Sequence, residues 1–271
     1  MAVRALFAGV VSGAASALAL RLLLDVPPGG RDLWDRTNHA GETVSLLEGP
    51  AFVAGSSLAA VAAGPGPLVA ALGAGSLGAL DDLAGDSRSK GLTGHLRALA
   101  RGEVTTGAVK VLGLGVTGVL ASALIDSRGR AGDGQPLRTL DTLVGGAVIA
   151  GTANLLNLLD LRPGRALKAT VIAGALTAAD RRAEVVSGAA VGAAAALLGP
   201  DLAGETMLGD TGANSAGALL GSALVARSGR RGRLAALAVL TCLTLASERV
   251  SFTRVIESTP GLRELDALGR S

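Results

Sequence analysis

Long apolar segments constrain the fold of this chain more than any other feature. Segments of roughly 15–20 mostly apolar residues recur along the sequence, and the short loops between them hold most of the charge. Only helices and closed barrels satisfy their backbone hydrogen bonds in lipid, and no segment has the alternating pattern of a barrel strand. The pattern therefore predicts an all-α polytopic integral membrane protein. We expect one membrane domain over residues 1–271, ending in an amphipathic cytoplasmic tail over 250–271.

The apolar segments predict about nine transmembrane helices. Their approximate limits are 3–24, 50–64, 67–80, 106–125, 139–158, 165–179, 185–200, 211–226 and 233–248. Lys and Arg are modestly enriched on the side that holds the loop after residue 80, so the positive-inside rule places this side in the cytoplasm and the N-terminus outside. The first segment lacks a clear cleavage site, and we expect it to be retained as a span.

Composition excludes several classes of site. Cys242 is the single cysteine, so the chain has neither a disulfide framework nor a cysteine-based metal site. Aromatic residues number three Phe and one Trp with no Tyr, so loop arginines rather than an aromatic belt must anchor the helices. The many Gly and Ala residues allow close helix packing, although a GC-rich genome would also explain them. We expect a membrane and a lipid as partners, and no nucleic acid.

The first polar cluster follows an apolar run at Asp81 and Asp82, with Asp86, Lys90 and His95 soon after. Two adjacent carboxylates repel each other, and such a pair suits Mg²⁺ coordination or proton abstraction. The alternative is a solvated helix end, where acidic residues are common.

The second cluster places Asn154, Asn157 and Asp160 at intervals of three residues, on one broad face of a helix. Amides and an acid within a Leu-rich segment need polar partners. Three cations follow at once: Arg162, Arg165 and Lys168. Arginine suits phosphate because its planar donors bind two oxygens together. A stop-transfer boundary would explain the cations but not the spaced amides.

The third cluster is "GDTGA" at 209–213, where Asp210 lies between Gly209 and Gly212 at the start of a helix. The glycines allow close approach of a ligand, and the helix N-terminus favours anions. The alternative is that Asp210 is a simple N-cap. In a weaker fourth cluster, "RTNHAGETVSLLEGP" at 36–50, His39 and Thr43 could touch a substrate, although a lone loop His is more often solvated.

These motifs carry a family resemblance. Asp81-Asp82, "KGLTGHLRAL", Asn154-x-x-Asn157-x-x-Asp160 and "GDTGA" occur in that order over roughly residues 30–225. In order and spacing they resemble the polyprenyl-phosphate N-acetylhexosamine-1-phosphate transferase family, which includes phospho-MurNAc-pentapeptide translocase. The resemblance implies transfer of a sugar 1-phosphate from a UDP-sugar to polyprenyl phosphate, with release of UMP. It also implies Mg²⁺ as cofactor with Mn²⁺ as an alternative, a bacterial cytoplasmic membrane, envelope glycan synthesis and a homodimer.

By motif position, the resemblance implies catalytic roles for Asp81, Asp82 and Asp160, and metal ligation by Asp210 with Asp160. It places Asn154 and Asn157 at the diphosphate and metal site, and Lys90 where it neutralises phosphate. The pattern of charge and position adds three substrate-binding candidates: Arg162, Arg165 and Thr43.

The chain departs from the family pattern at residues that would select the donor. Leu161 and Pro163 stand where the family has Asp-Gly-x-Asp-Gly, the tail has no His, and Met207 lies where an aromatic partner of uracil is usual. A final apolar span is also missing. These departures motivate a second hypothesis, a paralogue that binds polyprenyl phosphate or scaffolds envelope enzymes. A transporter or lipid flippase is a third hypothesis, which the lack of internal repeats disfavours.

Overall fold

The computed structural model describes residues 3–37, 41–84, 106–133 and 139–270. The predicted residues His39, Asp86, Lys90 and His95 lie outside this part of the chain. About 80% of the structure is helical, which confirms the predicted all-α membrane class at a coarse level. The described α-helices are α1 Val3–Asp25, α2 Glu48–Ala60, α3 Pro65–Ala84, α4 Thr106–Asp133, α5 Thr139–Leu159, α6 Arg165–Thr177, α7 Glu184–Leu202, α8 Gly209–Arg227, α9 Arg230–Ser247, α10 Phe252–Ser258 and α11 Leu262–Ala267.

Helices α1 to α9 coincide with the nine predicted segments, but they differ in length and hydropathy. In the described parts of the chain, five are long and apolar enough to cross a membrane: α1, α3, α4, α5 and α7. The pair α9 and α10 would form a sixth span, bent by 95° at the break between them. Helices α2 and α6 have 13 residues each and span about 20 Å, which is short for a hydrocarbon core of about 30 Å. Nine complete spans therefore stay a prediction.

A small hairpin in the loop after α1 has no counterpart in the sequence-based prediction. Strand β1 (Asp35–Thr37) pairs antiparallel with β2 (Thr43–Ser45). The Ser45 N–H donates to the Glu205 carbonyl at 3.2 Å, and the Met207 N–H donates to the Ser45 carbonyl at 2.9 Å. Three-residue strands are too short to show an alternating pattern. Through these bonds the hairpin fixes the segment that leads into α8.

Helix α8 is the centre of the bundle, because 15 of its 19 residues are buried. It packs against α2, α3 and α5. Gly78 of α3 permits the closest approach, since a Cβ atom there would lie 2.2 Å from the Asp210 carbonyl oxygen and 2.6 Å from the Thr211 nitrogen. This contact sets the end of α3 directly against the first turn of α8.

Candidate functional site

Asp82 caps helix α8 from a different helix. It lies in the last turn of α3, and its Oδ1 accepts a hydrogen bond from the Asp210 N–H at 3.0 Å. Its Oδ2 accepts from the Thr211 N–H at 2.9 Å and from the Thr211 hydroxyl at 2.6 Å. The first N–H groups of a helix have no partner within it, and Asp82 supplies one. Asp210 is therefore not the cap itself but a first-turn residue whose side chain is free to face the cavity described below.

The start of α8 also depends on a glycine. Gly209 has φ +61°, and a Cβ atom there would lie 3.1 Å from Asp82 Oδ2. A left-handed backbone beside a carboxylate leaves little room for any other residue. Arg36 fixes the other partner, since its Nη2 donates to the Asp82 carbonyl at 2.8 Å. Both ends of the Asp82–α8 contact are thus held in place.

Lys110 of α4 lies between the two acidic motifs. Its ammonium donates to Asp81 Oδ2 at 3.2 Å and to Asp210 Oδ2, and its side chain is 13% exposed. Lys110 is absent from the sequence-based site prediction. The available signal was a single lysine within the apolar run 106–125, because an ionisable residue inside a membrane helix is expensive and points to function.

Asn157 joins the same group of residues. In the amide orientation that satisfies both ends, its nitrogen donates to Asp210 Oδ1 at 2.6 Å and its oxygen accepts from Lys110 at 3.3 Å. The polar cluster of this site is therefore Asp81, Lys110, Asn157 and Asp210. It joins all three sequence motifs through one lysine.

Asp160 lies in the turn after α5, close enough to Asp210 of the polar cluster for that charge to act on it. Burial raises the pKa of its carboxyl group well above the ordinary value, and the charges of Asp201, Asp210 and Asp82 raise it further. A hydrogen bond from the Gly209 backbone acts in the opposite direction. The predicted motif thus places a carboxyl group with a raised pKa next to the start of α8.

A cavity of about 400 Å³ opens from the polar cluster into the helices. Asn154 lines it together with the four residues of the cluster. The apolar wall continues along α4 and α5, at Val111, Leu114, Ala150 and Gly151. The facing side belongs to the end of α9: Thr244, Ser247 and Glu248. The cavity therefore joins the polar cluster to an apolar wall on α4 and α5 and to polar residues at the end of α9.

The predicted substrate-binding cations occupy a different position. Arg162 donates to Glu257 at 2.7 Å, and Arg165 forms an ion pair with Asp266 at 2.7 Å. Both arginines therefore bond to the C-terminal segment, residues 252–270. Thr43 is exposed at the start of β2. Binding of substrate by Arg162, Arg165 and Thr43 stays a prediction. Asn154 and Asn157, which the sequence places on one face of a helix, both line the cavity.

The donor set of the polar cluster suits a hard cation. Among the described residues, no group of three or more His, Cys, Asp or Glu side chains is arranged to hold a metal ion. Asp81, Asn157 and Asp210 instead direct oxygens at the Lys110 ammonium. Mg²⁺ usually takes one or two carboxylates and keeps several waters, so these oxygens fit it. Lys110 and a metal ion would then compete for the same carboxylates.

No known family model matches the chain, and no curated protein is similar enough in sequence to count as a match. The family resemblance of the motifs therefore stays a prediction, and the site must be interpreted from its own geometry.

Proposed function

We propose that this protein is a phosphoglycosyl transferase of the cell envelope. The reaction is Mg²⁺-dependent transfer of a sugar 1-phosphate from a UDP-sugar to a polyprenyl phosphate, with release of UMP. The observation that carries the proposal is the cavity, because it joins a cluster of carboxylates, amides and an ammonium to an apolar wall. A lipid phosphate has the same division into a charged head and an apolar chain.

The polar end of the cavity accounts for binding of a phosphate. The Lys110 ammonium and the amide groups of Asn154 and Asn157 are the donors there that can meet phosphate oxygens. Val111 and Leu114 follow Lys110 along α4, where they would contact the first units of the prenyl chain. Because α4 and α5 are candidate spans, this wall continues into the bilayer.

The chemistry requires charge neutralisation more than covalent participation by the protein. An oxygen of the lipid phosphate attacks the sugar-linked phosphorus, the bond to the UMP oxygen breaks, and UMP leaves. Asp210, with Asn157 and Asp160 beside it, would hold Mg²⁺, which when bound neutralises diphosphate charge. Asp81 orients the Lys110 ammonium through their ion pair at 3.2 Å. Asp82 holds the first turn of α8, and with it Asp210, in position.

The proposal includes the arrangement in the membrane. We place the chain in a bacterial cytoplasmic membrane with about nine spans, with the polar cluster facing the cytoplasm, and with a homodimer as the assembly. The donor is then the soluble nucleotide sugar of the cytoplasm, and the acceptor reaches the cavity from the bilayer.

A direct assay tests the proposal. Full-length protein in lipid nanodiscs that contain undecaprenyl phosphate is incubated with Mg²⁺ and a panel of radiolabelled nucleotide sugars. We expect one donor to give a lipid-linked product, and Asp210→Ala to abolish it. Glu205→Gln is the matched control, because Glu205 is an exposed carboxylate in the loop before α8. Absence of product with every donor, or full turnover by Asp210→Ala, would contradict the proposal.

One observation favours a second candidate, a paralogue that binds polyprenyl phosphate without turnover. Arg162 and Arg165, the predicted phosphate ligands, are both bonded to the C-terminal segment. The same nanodiscs distinguish the two functions. Saturable retention of polyprenyl phosphate with no product from any donor supports the binding paralogue.

A further inference from the structure

The C-terminal segment, residues 252–270, attaches to the bundle through a charged side chain. The segment contains helices α10 and α11. In the described chain, no residue of α10 is buried, and Asp266 is the buried residue of α11. Leu262 and Leu265 of the same segment are exposed. A segment that docked by packing would bury its apolar residues rather than a carboxylate. The attachment is therefore electrostatic in origin.

Asp266 meets Arg165 with both of its oxygens. Arg165 Nε donates to Oδ1 at 2.7 Å and Arg165 Nη2 donates to Oδ2 at 3.1 Å, with each side chain 5% exposed. Arg270 adds a third bond, to Oδ2 at 2.8 Å. Burial alone raises the pKa of Asp266, but the hydrogen bonds and charges of Arg165 and Arg270 outweigh it and hold this pKa below the ordinary value. Asp266 is thus a buried, ionised group.

The same turn of α6 supplies further donors. Lys168 Nζ donates to the carbonyls of Leu265 at 3.1 Å and Asp266 at 2.9 Å. Arg165 Nη1 donates to the Thr253 hydroxyl at 2.9 Å. The planar fork of an arginine, with an ammonium one turn away, binds a phosphoryl group in the same way as it binds a carboxylate. Here every one of these donors is directed at the C-terminal segment.

This group of donors is close to the polar cluster. Asp201 accepts a hydrogen bond from the Gly164 N–H at 3.0 Å, directly before Arg165, and its charge acts on Asp160. Asp160 in turn lies beside the start of α8. A phosphoryl group on Arg165 would therefore be near the carboxylates of the candidate site.

We propose that Arg165 and Lys168 form a phosphoryl-binding site, that Asp266 occupies this site as an internal anion, and that a substrate phosphate replaces it when the C-terminal segment is released. The identity of the substrate rests on the proposed function, because a nucleotide diphosphate and a polyprenyl phosphate share this chemistry. The binding site itself does not depend on turnover. It explains how the predicted phosphate ligand Arg165 can be both buried and functional.

Removal of the internal anion provides the test. The full-length protein and Asp266→Asn are placed in nanodiscs, and the binding of radiolabelled inorganic pyrophosphate is measured by equilibrium dialysis. A tethered group competes at an effective concentration on the order of millimolar, so Asp266→Asn should bind pyrophosphate about tenfold more tightly. Glu264→Gln is the matched control, because Glu264 is an exposed carboxylate of the same helix that pairs with Arg263. It should bind like the unmodified protein.

Further variants separate the site from a general effect of charge or folding. In Asp266→Asn/Arg165→Gln the gain in pyrophosphate binding should disappear, because the arginine fork is gone. Thr253→Val removes one bond between the segment and Arg165 and keeps Asp266, so it should give a gain of about twofold. Thr253→Val thus provides a measurement even if Asp266→Asn does not fold.

A second arm identifies the source of the phosphate. The same variants are tested in nanodiscs with and without undecaprenyl phosphate, using retention of the labelled lipid as the readout. Tighter binding in Asp266→Asn, whether of pyrophosphate or of the lipid, supports the site and identifies its ligand. No gain in either arm, or a gain that survives removal of Arg165, overturns it. Turnover is measured in a separate assay. Absence of turnover would therefore contradict the proposed function without contradicting the anion site, and absence of a gain in binding would contradict the anion site without contradicting the proposed function.

Discussion

Replacement of Asp82 by Asn distinguishes a structural carboxylate from a catalytic base. The family resemblance assigns Asp82 to catalysis, whereas the structure shows both of its oxygens accepting hydrogen bonds at the start of α8. Asn keeps the shape of the side chain but has one acceptor oxygen. If that oxygen keeps both bonds to Thr211, the new NH₂ group faces the Asp210 N–H, and two donors are opposed.

The magnitude follows from the three bonds. Hydrogen bonds to a charged group contribute about 1.5–3 kcal/mol each, and Asp82→Asn loses one of them and weakens the other two. Because Asp82 is partly exposed, we expect a loss of about 2–3 kcal/mol in the free energy of unfolding. Asp210 moves with the first turn of α8, and a displacement of about 1 Å in a catalytic group lowers turnover by about 10²-fold.

The assay measures unfolding and turnover on the same protein. Unfolding is followed by circular dichroism in a mixed-micelle denaturant titration, and turnover is followed with the lipid acceptor. Thr211→Val is the matched comparison, because it removes the hydroxyl bond alone and should cost about 1 kcal/mol. If Asp82→Asn lost all turnover while its free energy of unfolding stayed unchanged, Asp82 would be a chemical group and the capping role would be wrong.

Three further predictions concern charged or titratable groups of the bundle. Lys110→Met removes the cation that Asp81 and Asp210 share, so we expect about 3 kcal/mol lower stability and partial recovery on addition of Mg²⁺; unchanged stability in both conditions would exclude the counter-ion role. Because the pKa of Asp160 is raised in the folded protein, its contribution to the free energy of unfolding is greatest below about pH 4 and is lost as pH rises through the folded pKa. Unfolding measured without metal between about pH 4 and 8 should show this loss. Asp160→Asn should make the dependence of stability on pH flatter. Arg233→Met should cost about 3–5 kcal/mol because the buried Asp126 loses the guanidinium that lies 2.6 Å from it; the double variant with Asp126→Leu should recover most of this, and equal losses in both would show that the ion pair is not the cause.

Much of the site could be predicted because polar residues in a membrane chain are rare. Asp81, Asn157 and Asp210 each lie where an apolar segment ends, so counting the segments places all three at the same membrane face. The structure brings these three residues into one cluster. The helical positions were predictable for the same reason, since each apolar segment forms a helix.

The partners of these residues could not be predicted, because they depend on which helices pack together. Lys110 is 29 residues from Asp81 and 100 residues from Asp210, and the periodicity of α4 does not indicate its neighbours. The contact of Arg165 with Asp266 joins residues 101 apart. In the sequence Arg165 fits a topogenic or substrate-binding role, and only the packing shows what Arg165 and Lys110 balance.

The charge of the cavity links the proposed function with the anion site. Among the described residues that line it, Lys110 is the one cation, and Asp81, Asp210 and Glu248 are the carboxyl residues. A phosphate monoester adds up to two further negative charges, so additional positive charge at the polar end would strengthen its binding. Mg²⁺ would supply such charge at the carboxylates, and release of Asp266 would free the charge of Arg165. Since both sources act on the same phosphate, binding should depend most steeply on Mg²⁺ while Asp266 still holds the arginine, and less steeply once that carboxylate is replaced by Asn.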